Sequence, residues 1–88
     1  MKFRLEQSLF LNGVVDAQTS MEIITGMSRL YFANPKKLIT LFISSAGGSV
    51  SDSFALYDYT TKALKPKLQT VALGEVNSTA VMLLVKLV

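Results

Sequence analysis

Residues 37–44 read Lys-Leu-Ile-Thr-Leu-Phe-Ile-Ser, an almost unbroken run of large and branched apolar side chains. The run is far too short to cross a membrane, where a helical span takes about 20 residues. It also lacks the in–out alternation of a strand with one wet face. It fits a strand covered on both faces, the kind found inside parallel sheets. That segment commits the chain to a layered α/β arrangement, because parallel neighbours are joined by crossover connections, usually helices.

The flanking sequence supplies such connections. Ser8 to Val15 reads as a short apolar strand with a polar Asn12-Gly13 step. Asp16 is a good N-cap for a helix from Ala17. Met21, Ile24, Met27 or Ser28, and Tyr31 recur there at helical spacing, with Ile23 and Leu30 flanking. Gly26 weakens this helix by roughly 1 kcal/mol relative to Ala, and Asn34-Pro35 stops it. Ser45-Ala46-Gly47-Gly48 reads as a sharp turn after the central strand. A second helix is expected from about Ser49, with Val50, Phe54, Tyr57 and Thr61 on one face, Ala55 and Leu56 beside it, and Pro66 closing it. Gln69 to Leu73 is a third strand, Gly74 opens another turn, and Ser78 starts a third, strongly apolar helix that runs to the end. The order β-α-β-α-β-α implies a mostly parallel sheet with right-handed crossovers. With no linker or repeat, residues 1–88 form a single unit.

Composition narrows the partners. Half of the 88 residues are hydrophobic, which is rich for a small free-standing domain. The chain is therefore either a piece of a larger domain or a subunit that buries apolar faces against copies of itself. There is no cysteine and no histidine, so no disulfide, thiol nucleophile or transition-metal site is expected. The net charge of +3 is spread along the chain, the Lys36-Lys37 pair sitting at a turn. Without a basic stripe, no nucleic-acid partner is expected. The longest apolar run, residues 80–85, has six residues. Glu6, Gln7, Ser8 and Asn12 interrupt any signal-type segment. The expectation is a cytoplasmic protein with no membrane contact.

Sites in open α/β folds form at the carboxyl ends of the strands, and two strand-to-helix segments there carry unusual residues. In Ser44-Ser45-Ala46-Gly47-Gly48-Ser49-Val50, adjacent glycines let the backbone approach a ligand, with N–H groups available at a helix start. It is not a phosphate-binding Walker loop, because no Gly-Lys-Ser/Thr closes it; on its own it reads equally as a plain tight turn. In Gly74-Glu75-Val76-Asn77-Ser78-Thr79-Ala80, a serine opening a helix past a buried strand is placed as in nucleophile turns, with the next N–H as oxyanion donor. The alternative is that Ser78 only caps the last helix.

Taken in order, these stretches resemble the Clp protease proteolytic subunit (ClpP) family. Leu9-Phe10-Leu11-Asn12-Gly13 is similar to its first strand. Residues 38–50, ending Ser44-Ser45-Ala46-Gly47-Gly48-Ser49-Val50, resemble its strand running into Asn-Ser-Pro-Gly-Gly-Ser-Val. Leu56-Tyr57-Asp58 and Leu64-Lys65-Pro66 resemble its Ile-Tyr-Asp and Ile-Lys-Pro, and Thr70 to Gly74 followed by Ser78 resembles the approach to its active serine, Gly-Gln-Ala-Ala-Ser-Met. The spacing holds without gaps from the first strand to Ser78, and the likeness covers roughly residues 6–85. It implies an incomplete ClpP/crotonase-type layered fold of β-α-β repeats, with the C-terminal half absent. It implies Ser78 as nucleophile, the backbone N–H groups of Gly48 and Thr79 as oxyanion hole, and Gly47, Ser49 and Val50 as backbone that binds an extended substrate. It further implies unfolded protein or peptide substrates, homo-oligomeric seven-membered rings, and an AAA+ Clp unfoldase that uses the ATP; this chain shows no cofactor site. Ser44, Ala46, Glu75, Asn77 and Thr79 depart from the family's asparagine, proline, glutamine, alanine and methionine, as in a divergent branch.

A serine hydroxyl needs an adjacent base to attack at neutral pH, and the family's histidine and aspartate lie beyond the equivalent of Val88. Lys86 does not replace them, being about 12 Å along the same expected helix. The resemblance thus implies an ATP-dependent serine endopeptidase subunit, truncated here and inert alone. Two other readings stay open: a non-catalytic relative that keeps the fold, and a crotonase-type acyl-CoA enzyme that needs no serine at position 78.

Overall fold

The computed structural model describes residues 2–77 and residue 80. Three parallel strands form one sheet in the order β1 (Ser8–Val15), β2 (Ile39–Gly48), β3 (Leu68–Val76). Two helices connect them, α1 (Ala17–Ala33) and α2 (Val50–Asp58), the latter continued by a π-helical turn over Tyr59–Ala63. Two right-handed crossovers that step in the same direction across a sheet place both helices on one face. The helices meet there: the Ser20 hydroxyl donates to the Asp52 carbonyl at 3.2 Å, and the Ser28 and Tyr59 hydroxyls are hydrogen-bonded.

The central strand is buried on both faces from Ile39 to Ile43, as its composition predicts. Toward the helices it presents Ile39, Leu41 and Ile43, which join Leu11, Val15, Ile23, Met27 and Leu56 in the core. Each such side chain, fully withdrawn from water, contributes about 1.5–3 kcal/mol. On the opposite face Phe42 is covered by other rings. Phe10 stacks on it with centroids 5.0 Å apart, and Phe3 meets it edge-on at 5.0 Å.

Asp16 caps α1 as expected. Its carboxylate accepts the Thr19 N–H at 2.8 Å, and the Thr19 hydroxyl accepts the Asp16 N–H at 2.9 Å. The Thr19 N–H and hydroxyl on this carboxylate hold its pKa below the ordinary value. A group with a depressed folded pKa stabilises above its unfolded pKa, and that contribution is lost as pH falls through the folded value. Asp16→Asn keeps a cap but removes the titration. The gap in melting temperature between wild type and Asp16→Asn should therefore be widest near neutral pH and close below roughly pH 4. A gap that does not change with pH would refute this.

Several expectations are corrected. The Gly47-Gly48 segment is not a turn: β2 runs through it to Gly48, paired with Val14 and Val15 of β1. Gly74 likewise lies inside β3, which extends to Val76 rather than ending at Leu73. The buried side of α1 is Ser20, Ile23, Gly26 and Met27, while Met21 is exposed. On α2 it is Ser53 and Leu56, with Thr60 following, while Val50 and Phe54 face out. Gly26 has a packing role as well as a propensity cost: a β-carbon there would lie 2.7 Å from a Leu9 methyl, so its absence lets α1 settle onto β1. The third helix, apart from the helical, buried Ala80, lies outside the described residues.

Candidate functional site

Parallel strands all finish at the same end of the sheet, so the two motif segments arrive side by side. Two irregularities fasten them. Between the pairs Asn12↔Ser44 and Val14↔Gly47, β2 carries one residue more than β1. Between Ile43↔Ala72 and Ser45↔Val76, β3 carries two more than β2. Extra residues of this kind bend a strand and re-aim its end.

Ser45 is the joint between the segments. It is buried, its hydroxyl accepts the Gly47 N–H at 3.0 Å, and its carbonyl accepts the Asn77 N–H at 2.9 Å. The residue immediately before Ser78 is thereby tied to the strand that leads into Gly47-Gly48. Sequence reasoning passed over Ser45; its signal was a small hydroxyl residue two places before a glycine, a common way to satisfy a backbone N–H locally.

Gly48 reaches closest to its neighbour. Its φ is +152°, and a β-carbon would lie 2.3 Å from the Val15 carbonyl oxygen and 2.8 Å from the Val15 nitrogen. Only a residue without a side chain fits there. Ser49 is fully engaged: its N–H donates to the Val15 carbonyl at 2.8 Å, its hydroxyl accepts the Asp52 N–H at 3.2 Å, and its carbonyl accepts the Ser53 N–H at 3.1 Å. Val50 opens α2 with its side chain exposed. The Glu75 carboxylate is exposed and accepts the Asn77 side-chain amide at 2.9 Å. Ser78 and Thr79 lie outside the described residues.

The strand ends therefore bring together Gly47, Gly48, Ser49 and Val50 with the residues leading to position 78. A small cavity of about 220 Å³ lies below the bulges on the aromatic side of the sheet, between Asn12, Ser44 and Leu73. A wider cleft, about 750 Å³, is at the other end of the sheet, around Lys2–Arg4 and Lys37. The motif segments at the strand ends and this cleft are thus separate features. Among the described residues there is no group of three potential metal ligands, and no helix long and apolar enough to cross a membrane.

In comparison with protein-family models, the model described as Clp protease aligns with residues 2–86.

Proposed function

The chain belongs to the Clp protease family, and from that premise we propose that it forms the N-terminal part of a serine endopeptidase subunit, with Ser78 as nucleophile. The observation that carries this reading is the bond from the Asn77 N–H to the Ser45 carbonyl at 2.9 Å. It joins the segment entering position 78 to the Gly47-Gly48 segment, as a shared crevice requires.

In this reading the Ser78 hydroxyl oxygen attacks the carbonyl carbon of an extended peptide and gives up its proton to a base. The oxyanion is received by the N–H groups of Gly48 and Thr79, an arrangement that contributes about 3–4 kcal/mol per donor where such donors have been removed. The amine leaves with a proton, and water hydrolyses the acyl-serine. Gly47 and Val50 flank the peptide, which binds as an added strand; Ser49 holds their backbone in place. The base and its orienting acid come from polypeptide beyond this chain, which contains no histidine. The same reading has the subunit in cytoplasmic homo-oligomeric rings, fed with unfolded protein by an ATP-using AAA+ unfoldase, and needing no cofactor of its own. The missing histidine also favours a second reading, a non-catalytic relative that keeps the fold.

Fluorophosphonate labelling separates the two. The 88-residue chain alone should not label above background, whereas the subunit completed with a histidine-bearing second half should label at Ser78. No labelling in the completed subunit, or labelling at another serine, would overturn the protease reading. Rapid stoichiometric labelling of the chain alone would overturn the need for an outside base.

A further inference from the structure

The chain has three asparagines, and the fold treats them differently. Asn34 is followed by Pro35, which has no N–H, and its side-chain carbonyl accepts the Lys36 N–H at 3.1 Å. Asn77 is pinned twice: its side-chain amide donates to Glu75 at 2.9 Å, and its backbone N–H donates to the Ser45 carbonyl at 2.9 Å. Asn12 is exposed and followed by Gly13, and its side chain makes no hydrogen bond among the described residues.

The backbone at this step is also unusual for a strand interior. Gly13 falls between the pairs Asn12↔Ser44 and Val14↔Gly47 and has no counterpart on β2. Its φ is +91°, outside the extended range, and nothing lies within 4 Å of where a β-carbon would stand. The Gly13 nitrogen is therefore shielded neither by a side chain of its own nor by one packed over it. The side-chain carbonyl of an asparagine and the next nitrogen along the chain can close a five-membered ring. Intramolecular encounters of this kind gain greatly over bimolecular ones when nothing holds the groups apart.

We propose that Asn12-Gly13 is a self-modification site, at which the folded chain deamidates to aspartate and isoaspartate. The Gly13 nitrogen attacks the Asn12 side-chain carbonyl carbon. The new C–N bond closes a succinimide, and the side-chain nitrogen departs as ammonia, carrying the Gly13 proton. Water then opens the imide. Cleavage of the new bond leaves aspartate on the normal chain; cleavage of the original peptide bond leaves isoaspartate, with the chain routed through the former side chain. Aspartate places a charge opposite Ser44. Isoaspartate lengthens β1 by one backbone atom where β2 already carries an extra residue, and so displaces Val14 and Val15 against Gly47 and Gly48. Gly48 packs directly on the Val15 backbone, so the modification loosens the strand end. The reaction uses only this chain and water, and its failure would leave the protease reading untouched.

The test is ageing of the folded 88-residue chain in warm, mildly alkaline buffer. Tandem mass spectrometry of the tryptic peptide 5–29 locates the change, and an isoaspartyl methyltransferase assay identifies the product. Asn12 should convert at a rate within roughly tenfold of that in the urea-unfolded chain, as a segment that opens at little cost allows. Asn34 and Asn77 should stay intact in the same sample, and Asn12→Gln should leave the peptide unchanged. The isoaspartyl fraction, separated by chromatography, should melt roughly 5 °C or more below Asn12→Asp, which has the charge without the longer backbone. Conversion in urea but not in the folded chain would overturn the proposal, since the strand would then shield Asn12. So would earlier conversion of Asn34 or Asn77. Equal melting of the isoaspartyl and Asn12→Asp proteins would overturn the loosening of the strand end.

Discussion

Gly48→Ala will leave the chain largely unfolded at room temperature. The added methyl would sit 2.3 Å from the Val15 carbonyl oxygen and 2.8 Å from its nitrogen, both backbone atoms of a paired strand. No rotamer change relieves a backbone clash, so β1 and β2 must separate where they are hydrogen-bonded. Overpacking in a rigid site costs about 1–3 kcal/mol or more, and a φ that side chains avoid adds of order 1–3 kcal/mol. A small domain has little more than that in reserve. Gly13→Ala is the control. Gly13 also has positive φ, +91°, but nothing lies within 4 Å of its absent β-carbon. Only the backbone term applies there, about 1–2 kcal/mol. Urea melts of the two variants should differ clearly in midpoint; equal midpoints would show that the approach of Gly48 to Val15 is not what constrains this position.

In the completed subunit, Ser78→Ala should reduce peptide hydrolysis by about 10⁴-fold or more. Removing the nucleophile of a serine hydrolase leaves only the residual acceleration from binding and the oxyanion hole. The loss should appear in kcat, with KM little changed, because the backbone that would hold the peptide is untouched. Retained hydrolysis would assign the chemistry elsewhere; the crotonase-type alternative, in which position 78 need not be serine, would instead show thioester chemistry that survives the substitution.

Much of the architecture was legible because it depends on local signals. The bounds of β1 and α1 follow from Asp16, whose cap ends one element and starts the other, and from Asn34-Pro35. The buried faces of the helices were misread because apolar inventory does not say which side is covered. Where α1 meets α2 the contact uses a small polar residue, Ser20, whose hydroxyl reaches the Asp52 carbonyl, while Met21, Val50 and Phe54 turn outward. The glycines misled for a related reason. Gly47-Gly48 has the composition of a turn, yet it is strand, since what it accommodates is the Val15 backbone, a partner distant in sequence. Of the site, the meeting of the two motif segments was legible from β-α-β order, whereas the Ser45 link was not, because it joins residues 32 positions apart through main-chain atoms alone.

The extra residue of β2 sets a phase. Alternate residues of a strand point to opposite sides, so one insertion re-indexes everything after it. Dropping either Ser45 or Ala46 would make the two strands equal in length there, with Gly47 still opposite Val14 and Gly48 still opposite Val15. The bend that the extra residue puts into β2 would be lost, and the strand end would aim elsewhere. Lineages descended from this chain are free to change many side chains in that stretch, but a shift in its length would redirect the strand end.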